Sequence, residues 1–563
     1  MSSATETTAS GVTRTTTGAD ELVRALRLLG VDTVFGLPGV HNLAVWEAAA
    51  SGGLRVVGVR HEQTAVYAAD GYARATGRLG VAVVTTGPGA ANTLGATGEA
   101  GASGSPVLVV ATDIPSTLRR PGVYRGVLHE TRDQAAMFAP VTKATVVSAA
   151  AQDVHADTLR AASVALQPAT GPVYLGVPTD FLSAPVTPAS EESPPPPPAV
   201  PPVTESDVVR ALGMLASARR PLLWAGGGAL RSGAGPALGE VARRLAAPVI
   251  TTFNGRGVLP PDHPCLVPGP PHVPPVGRLW DDADLVISVG SDLDGMTTQN
   301  WLMPPPPALL AVNVDAADAG KNYPADLVLV GDAGAVLTRL LEDLPERGDL
   351  QALRSRLATV AEEVRTLVDE DEPQAAALLE AFDRIAPATG ALFVDMCIPG
   401  YWLAGFHRVP GPRRLAYPMG WGTLGFAFPA AIGAASADQG RTVAVVGDGG
   451  FLFACGELAT VAQERLPMTV VVVDDGGYGM LRYDQRHAGV PSRGVDLATP
   501  DFLALAEAFG VPARSVTGLG RDFAAVLAES VARPGPDVVV VDAALTPPPS
   551  TSPRWYRRGG RRT

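Results

Sequence analysis

The sequence predicts an α/β protein built three times over, each unit a doubly wound parallel sheet. Short runs of Val, Ile, Leu and Ala, each ending in Gly or Asp and each followed by a helical segment, recur along the chain. Continuous apolar strands of this kind belong to parallel sheets covered on both faces. Two composition breaks cut the series. SPPPPPAVPP at Ser193 to Pro202 can continue neither a helix nor a central strand and reads as an extended linker. A charged helical stretch from Glu342 to Glu372 marks the second crossing. A chain of 563 residues is too long for one core, and the breaks give units at 18–190, 204–342 and 375–546.

In the first unit the strands are VAVVTTG, PVLVVATD and PVYLGVP; in the second PLLWAGG, APVITTF, DLVISVGSD and LLAVNVD; in the third LFVDM, TVAVVGDGG and MTVVVVDDGG. Ligands on such sheets bind outside the carboxyl ends of the strands. The residues that close these strands are therefore the first candidates for a site.

Composition narrows the function classes. A formal net charge of −12 disfavours nucleic acid and anionic membrane surfaces as partners. Cys265, Cys397 and Cys455 lie far apart without CxxC spacing, which predicts neither a zinc site nor a disulfide framework. The polar opening MSSATETTASGVTRTTTG lacks an apolar core, and no later apolar run has the length of a membrane span. A soluble, cytoplasmic protein is expected, with the basic terminal RWYRRGGRRT a solvated end.

The most specific motif lies in the third unit. Gly447-Asp448-Gly449-Gly450-Phe451 follows one strand, and Asp474-Asp475-Gly476-Gly477-Tyr478-Gly479 follows the next, with 27 residues from Asp448 to Asp475. Carboxylates at two neighbouring strand ends can grip one hard cation, and magnesium commonly shares such oxygens with phosphate groups. Glycines let backbone N–H groups approach those phosphates. A lone GDG would only turn the chain; the combination carries the signal.

GDGGFLFACGELATVAQERLP followed by a buried strand and DDGGYGML resembles the thiamine diphosphate-dependent enzyme superfamily of acetolactate synthases, benzoylformate decarboxylases and pyruvate decarboxylases. The resemblance implies that Asp448, Asp475 and the Gly477 carbonyl bind Mg2+, and that Gly449, Gly450, Tyr478 and Gly479 surround the cofactor diphosphate. Asp475 departs from the commoner Asn. Arg60-His61-Glu62-Gln63 resembles the family's RHEQ segment, which implies that Glu62 shares a proton with N1′ of the aminopyrimidine. Without the match, Glu62 would be an ordinary first-turn helix carboxylate. TTGPGAAN at Thr85 to Asn92 resembles the loop beside the cofactor. PMGWGTLGFAFP at Pro418 to Pro429 implies that Leu424 props the bent cofactor, that the Gly422 carbonyl accepts from the 4′-amino group and that Met480 packs on the pyrimidine.

Two histidines are candidates for handling substrate. His129 stands in Leu128-His129-Glu130 where acetolactate synthases carry FQE, and imidazole suits proton transfer near neutrality. His41 follows the PG of FGLPGVHN, where the family sets substrate-facing residues. Both features resemble the branch containing 5-guanidino-2-oxopentanoate decarboxylases. For each, simple packing in a loop is the alternative. GSDLDGMTTQNW lacks the Arg that helps hold FAD in acetolactate synthases, so FAD is not expected.

The resemblance covers about residues 18 to 545. It implies decarboxylation of a small-molecule 2-oxo acid through an enamine, released as aldehyde or passed to a carbonyl acceptor. An acetolactate synthase-like carboligase is one alternative, and a non-catalytic cofactor-binding regulatory relative is another. In the family the cofactor lies between two subunits, so a homodimer is the minimum and a tetramer is common.

Overall fold

The computed structural model describes residues 6–7, 13–120, 122–189 and 203–548. The linker expected at Ser193 to Pro202 and the basic tail lie outside them, as does most of the polar opening. Three parallel sheets carry the chain. The first holds β1 (Thr33–Gly36), β2 (Arg55–Gly58), β3 (Gly80–Val84), β4 (Val107–Asp113), β5 (Ala144–Val147) and β6 (Val173–Pro178), in the order 2-1-3-4-6-5. The second holds β7 (Pro221–Ala225), β8 (Val249–Thr251), β9 (Leu285–Val289), β10 (Leu309–Asn313) and β11 (Leu327–Val330), in the order 8-7-9-10-11. The third holds β12 (Thr389–Val394), β13 (Leu415–Ala416), β14 (Arg441–Gly447), β15 (Met468–Asp474), β16 (Ala513–Thr517) and β17 (Asp537–Asp542). Its order, 13-12-14-15-17-16, repeats the topology of the first sheet. The expected fold class, three doubly wound α/β units, is the one observed.

Alternation along each central strand explains the two covered faces. In β3, Val81 and Val83 pack with the helices Gly18–Leu28 and Val154–Leu166, while Ala82 and Val84 face the helix Glu62–Thr76. In β14, Val443 and Val445 face the helices Pro373–Ile385 and Arg521–Ala532, while Ala444 and Val446 face the helix Ala427–Ser436.

The inner faces of the first and third sheets share one core, because the helices Glu62–Thr76 and Ala427–Ser436 lie against each other. The contact is backbone to backbone. A Cβ on Gly71 would stand 1.9 Å from the Ala430 carbonyl oxygen, and one on Gly433 would stand 1.7 Å from that of Ala68. Only hydrogen fits at either position.

The charged crossing forms the helix Leu350–Asp371, shorter at its start than the charged stretch beginning at Glu342. Asp349 caps it by accepting from the Ala352 N–H. Leu353, Leu357, Val360, Val364 and Val368 make its buried stripe. Among the described residues, no helix is long and apolar enough to cross a membrane.

Candidate active site

Two groups of residues form at carboxyl ends of strands, one in the first unit and one in the third. Glu62 opens its helix directly after His61, whose ring nitrogen accepts from the Gln63 N–H at 3.2 Å. The carboxylate is buried, 9 % exposed, and accepts from Asn92 Nδ2 at 3.0 Å. Asn92 ends TTGPGAAN, so the loop expected beside the cofactor does reach Glu62. Gly89 in the same loop lies close enough that a Cβ there would meet Glu62 Oε1 at 3.4 Å and crowd the Thr85 methyl.

His41 and His129 come together. Their rings meet edge to face with centroids 5.3 Å apart. Three contacts hold the loops that carry them. Thr179 Oγ1 donates to the His41 carbonyl at 2.7 Å, and Asn42 Oδ1 accepts from the Gly39 N–H at 2.7 Å. Gln134 Oε1 accepts from the Gly87 N–H at 2.7 Å, beside the His129 backbone. His129 has φ +65°, a left-handed conformation that a non-glycine residue adopts at a cost. Nδ1 of each histidine is buried without a hydrogen-bond partner. Burial, reinforced by the His129 imidazole, pushes the His41 pKa below its ordinary value against the pull of Asp113. His41 is therefore neutral at neutral pH.

In the third unit Asp448 begins the short helix Asp448–Leu452 rather than sitting on an open glycine turn. Its Oδ1 accepts from the Gly449 N–H at 2.8 Å, and its Oδ2 is buried without a partner. Asp475 Oδ1 is likewise buried and without a hydrogen bond, with Arg482 Nη1 at 3.7 Å. Burial pushes the Asp448 pKa up to about 7, and the charges of Asp475 and Asp474 push it the same way. Burial also raises Asp475, while Arg482 opposes. Uncompensated buried carboxylate oxygens are costly, and a hard cation is the partner that would relieve both. The Gly477 carbonyl accepts from the Gly479 N–H at 3.1 Å, which leaves it a second lone pair. Gly479 makes room for the Asp475 carboxylate, since a Cβ there would be 2.0 Å from Oδ2. A Cβ on Gly449 would meet the Tyr478 ring at 2.6 Å.

Gly422 and Leu424 lie half-buried on the segment before the helix Ala427–Ser436, and Met480 lies half-buried in the helix Gly479–His487. Met396 joins them, its Cε 3.1 Å from where a Cβ on Gly422 would be. Several residues that position this group have no motif in the sequence. Asp395, at the end of β12, accepts from the Gly425 N–H at 2.9 Å and the Phe426 N–H at 3.4 Å. Arg74 pairs with Asp70 at 2.8 Å and Glu99 at 3.1 Å and donates to the Tyr417 carbonyl at 3.0 Å, while Glu99 Oε2 accepts from the Trp421 N–H. Glu457 crosses between the units to accept from the backbone N–H groups of Arg60 and His61, just ahead of Glu62. Two signals were available: Asp395, a carboxylate closing an apolar strand, and Glu457, which lies within GDGGFLFACGELATVAQERLP without being singled out.

The two groups keep separate company. Glu62 bonds within the first unit, and Asp448 and Asp475 have their neighbours in the third.

The N-terminal, central and C-terminal domain models of the thiamine pyrophosphate enzymes match residues 16–137, 208–340 and 397–541. The chain belongs to this family. Proteins similar to it include the Probable 2-ketoarginine decarboxylase AruI of Pseudomonas aeruginosa, 36% identical over 89% of each chain. The Probable acetolactate synthase large subunit of Methanocaldococcus jannaschii is 31% identical over 88% of this chain and 87% of its own. The Acetolactate synthase large subunit of Parasynechococcus marenigrum is 32% identical over 91% and 86%. The cofactor expected from the sequence, thiamine diphosphate, is that of the family. The reaction class is likewise the expected one: this chain is a thiamine diphosphate-dependent 2-oxo acid decarboxylase or carboligase.

Proposed function

We propose that this enzyme decarboxylates a 2-oxo acid and releases the aldehyde, with thiamine diphosphate held through Mg2+ on Asp448, Asp475 and the Gly477 carbonyl. Asp448 Oδ2 and Asp475 Oδ1, both buried and neither with a hydrogen-bond partner, carry this reading, because a divalent cation held there would satisfy both. When bound, thiamine diphosphate supplies a carbon nucleophile for the substrate carbonyl and an electron sink for the leaving carboxylate. The chain's own residues do the rest. Glu62, steadied by Asn92, holds a proton at N1′ of the aminopyrimidine. With the cofactor bound, the Gly422 carbonyl would accept from the 4′-amino group, Met480 would pack on the ring and Leu424 would support it from the other side. Gly449, Gly450, Tyr478 and Gly479 surround the diphosphate.

His41 and His129 take the substrate side. Each ring carries a nitrogen without a hydrogen bond, suiting His41 to orient the substrate and His129 to deliver a proton to the product carbon. The AruI relative is named as acting on 2-ketoarginine, and by analogy a guanidino 2-oxo acid heads the substrate panel. FAD has no part in the proposal, since GSDLDGMTTQNW offers no Arg for it.

The second reading, a carboligase, draws on the similarity to acetolactate synthases. One assay separates them. The protein is incubated with thiamine diphosphate, Mg2+ and a panel of 2-oxo acids, with and without aldehyde acceptors. Aldehyde as the sole product supports decarboxylase and defeats carboligase; carbon dioxide from none of the panel defeats both.

A further inference from the structure

A cavity of about 260 Å3 opens beside Met480 and Met396 and extends into the central unit, where Phe253, His272, Gln299 and Asn300 line its far wall. Three observations there have no structural account. Gln299 is buried, 7 % exposed, and its Oε1 has no hydrogen-bond partner. His272, 3 % exposed, donates from Nε2 to the Thr297 carbonyl at 2.9 Å, since a carbonyl oxygen can only accept. Burial pushes the His272 pKa down to about 4, so the ring is neutral and its Nδ1, also without a partner, presents a bare lone pair. Finally, Gln299, Asn300 and Trp301 have φ of 53°, 54° and 60°, three successive left-handed residues with no glycine among them. Such strain persists only where the surrounding structure holds it in place, as it does at many ligand sites.

Both unsatisfied groups are acceptors. Apart from Gly295 and Asn300, the rest of the wall is aromatic and thioether. Phe253 and Tyr417 rings lie 5.6 Å apart, Tyr401 and Tyr417 6.5 Å, and Phe253 and His272 6.1 Å, with Met396, Met419 and Met480 between the units. Aromatic faces and neutral acceptors suit a planar, weakly hydrated cation rich in N–H groups. Resting on the decarboxylase reading, we infer that this cavity is the specificity pocket for the distal end of the 2-oxo acid, a guanidinium whose N–H groups donate to Gln299 Oε1 and His272 Nδ1. Left without that ligand, the two acceptors are the uncompensated groups a selective polar site contains.

The test compares 5-guanidino-2-oxopentanoate with 2-oxohexanoate, its uncharged counterpart, in the cofactor-loaded enzyme. Gln299→Leu raises KM for the guanidino acid roughly 10- to 100-fold, the loss of a hydrogen bond to a charged group, with kcat within about 3-fold. The preference for the guanidino acid over 2-oxohexanoate falls by a comparable factor, and Gln299→Glu retains it. Equal losses on both substrates, or no loss on the guanidino acid, overturn the assignment. A wild-type enzyme that decarboxylates 2-oxohexanoate but not the guanidino acid overturns it while the decarboxylase reading stands. Should neither substrate nor any other 2-oxo acid of the panel yield carbon dioxide, that reading fails, and calorimetry with 4-guanidinobutanoate still decides the pocket. Binding about tenfold weaker in Gln299→Leu supports it, and identical binding in a variant with unchanged melting temperature overturns it.

Discussion

Glu62 depends on a neighbour that lies 30 residues away in sequence, Asn92. If Glu62 holds the proton at N1′, Glu62→Gln removes the acid function and keeps the shape. Turnover should fall by about 10^2- to 10^4-fold, while thiamine diphosphate binding, followed by tryptophan fluorescence, changes by a few-fold at most. Full activity in that variant would sink the proton-holding role. Asn92→Ala deprives the carboxylate of its orienting donor, and a loss of about 5- to 20-fold in kcat is expected from one such hydrogen bond. A steady-state assay at saturating cofactor reads it. The sequence exposed Glu62 through RHEQ, and it exposed Asn92 only as the end of a glycine loop. Short motifs report chain-local geometry, and the Asn92–Glu62 bond is long-range. His41 and His129 show the same limit: each was visible alone, but their ring contact depends on how two loops from different strands meet.

At the scale of elements, the strands were legible because burial on both faces writes itself as unbroken apolar runs; β14 and β15 run one or two residues past each end of the apolar runs 443–446 and 469–473. The crossing of the helices Glu62–Thr76 and Ala427–Ser436 was not legible, since small residues in a helix do not say what they approach. Gly433→Ala tests it. A methyl group 1.7 Å from the Ala68 carbonyl must push the helices apart, and a loss of about 3 kcal/mol or more is expected from such overpacking. Thermal unfolding measures it, and a melting temperature within a degree of wild type would refute the close contact. Asp395, closing β12, makes a prediction about pH. Burial raises its pKa from 3.8 to about 6, against the Met396, Gly425 and Phe426 N–H groups. A raised carboxyl pKa means the folded state binds a proton more tightly than the unfolded chain. The contribution is fully present below 3.8 and is lost as pH rises through about 6. Two units correspond to about 3 kcal/mol at most. Asp395→Asn should flatten the decline of melting temperature between pH 4 and 6; parallel profiles for the two proteins would show that the group carries no such linkage.

At the scale of the whole molecule, each half of the site ends in exposed apolar surface. Val40, Leu43 and Leu128 flank His41 and His129, while Trp421, Phe453 and Leu481 flank Gly422, the helix of Asp448 and Met480. Within one chain the first and third units meet through their helices and through Glu457, and the carboxylate of Glu62 and those of Asp448 and Asp475 bond to different partners. Apolar rims of this kind would be covered in a symmetric dimer, and the arrangement predicted is the first unit of one copy facing the third unit of the other. Complementation distinguishes this from a site made within one chain. Glu62→Gln and Asp448→Ala each leave both sites of a homodimer inactive. Mixed in equal amounts under conditions that exchange subunits, half of the dimers become mixed. In a mixed dimer one site receives both substitutions and the other receives none. Activity should then return to about a quarter of the wild-type value, by the arithmetic of a twofold assembly. If Glu62 and Asp448 instead served the same cofactor within one chain, every site in the mixture would carry one substitution, and mixing would restore nothing.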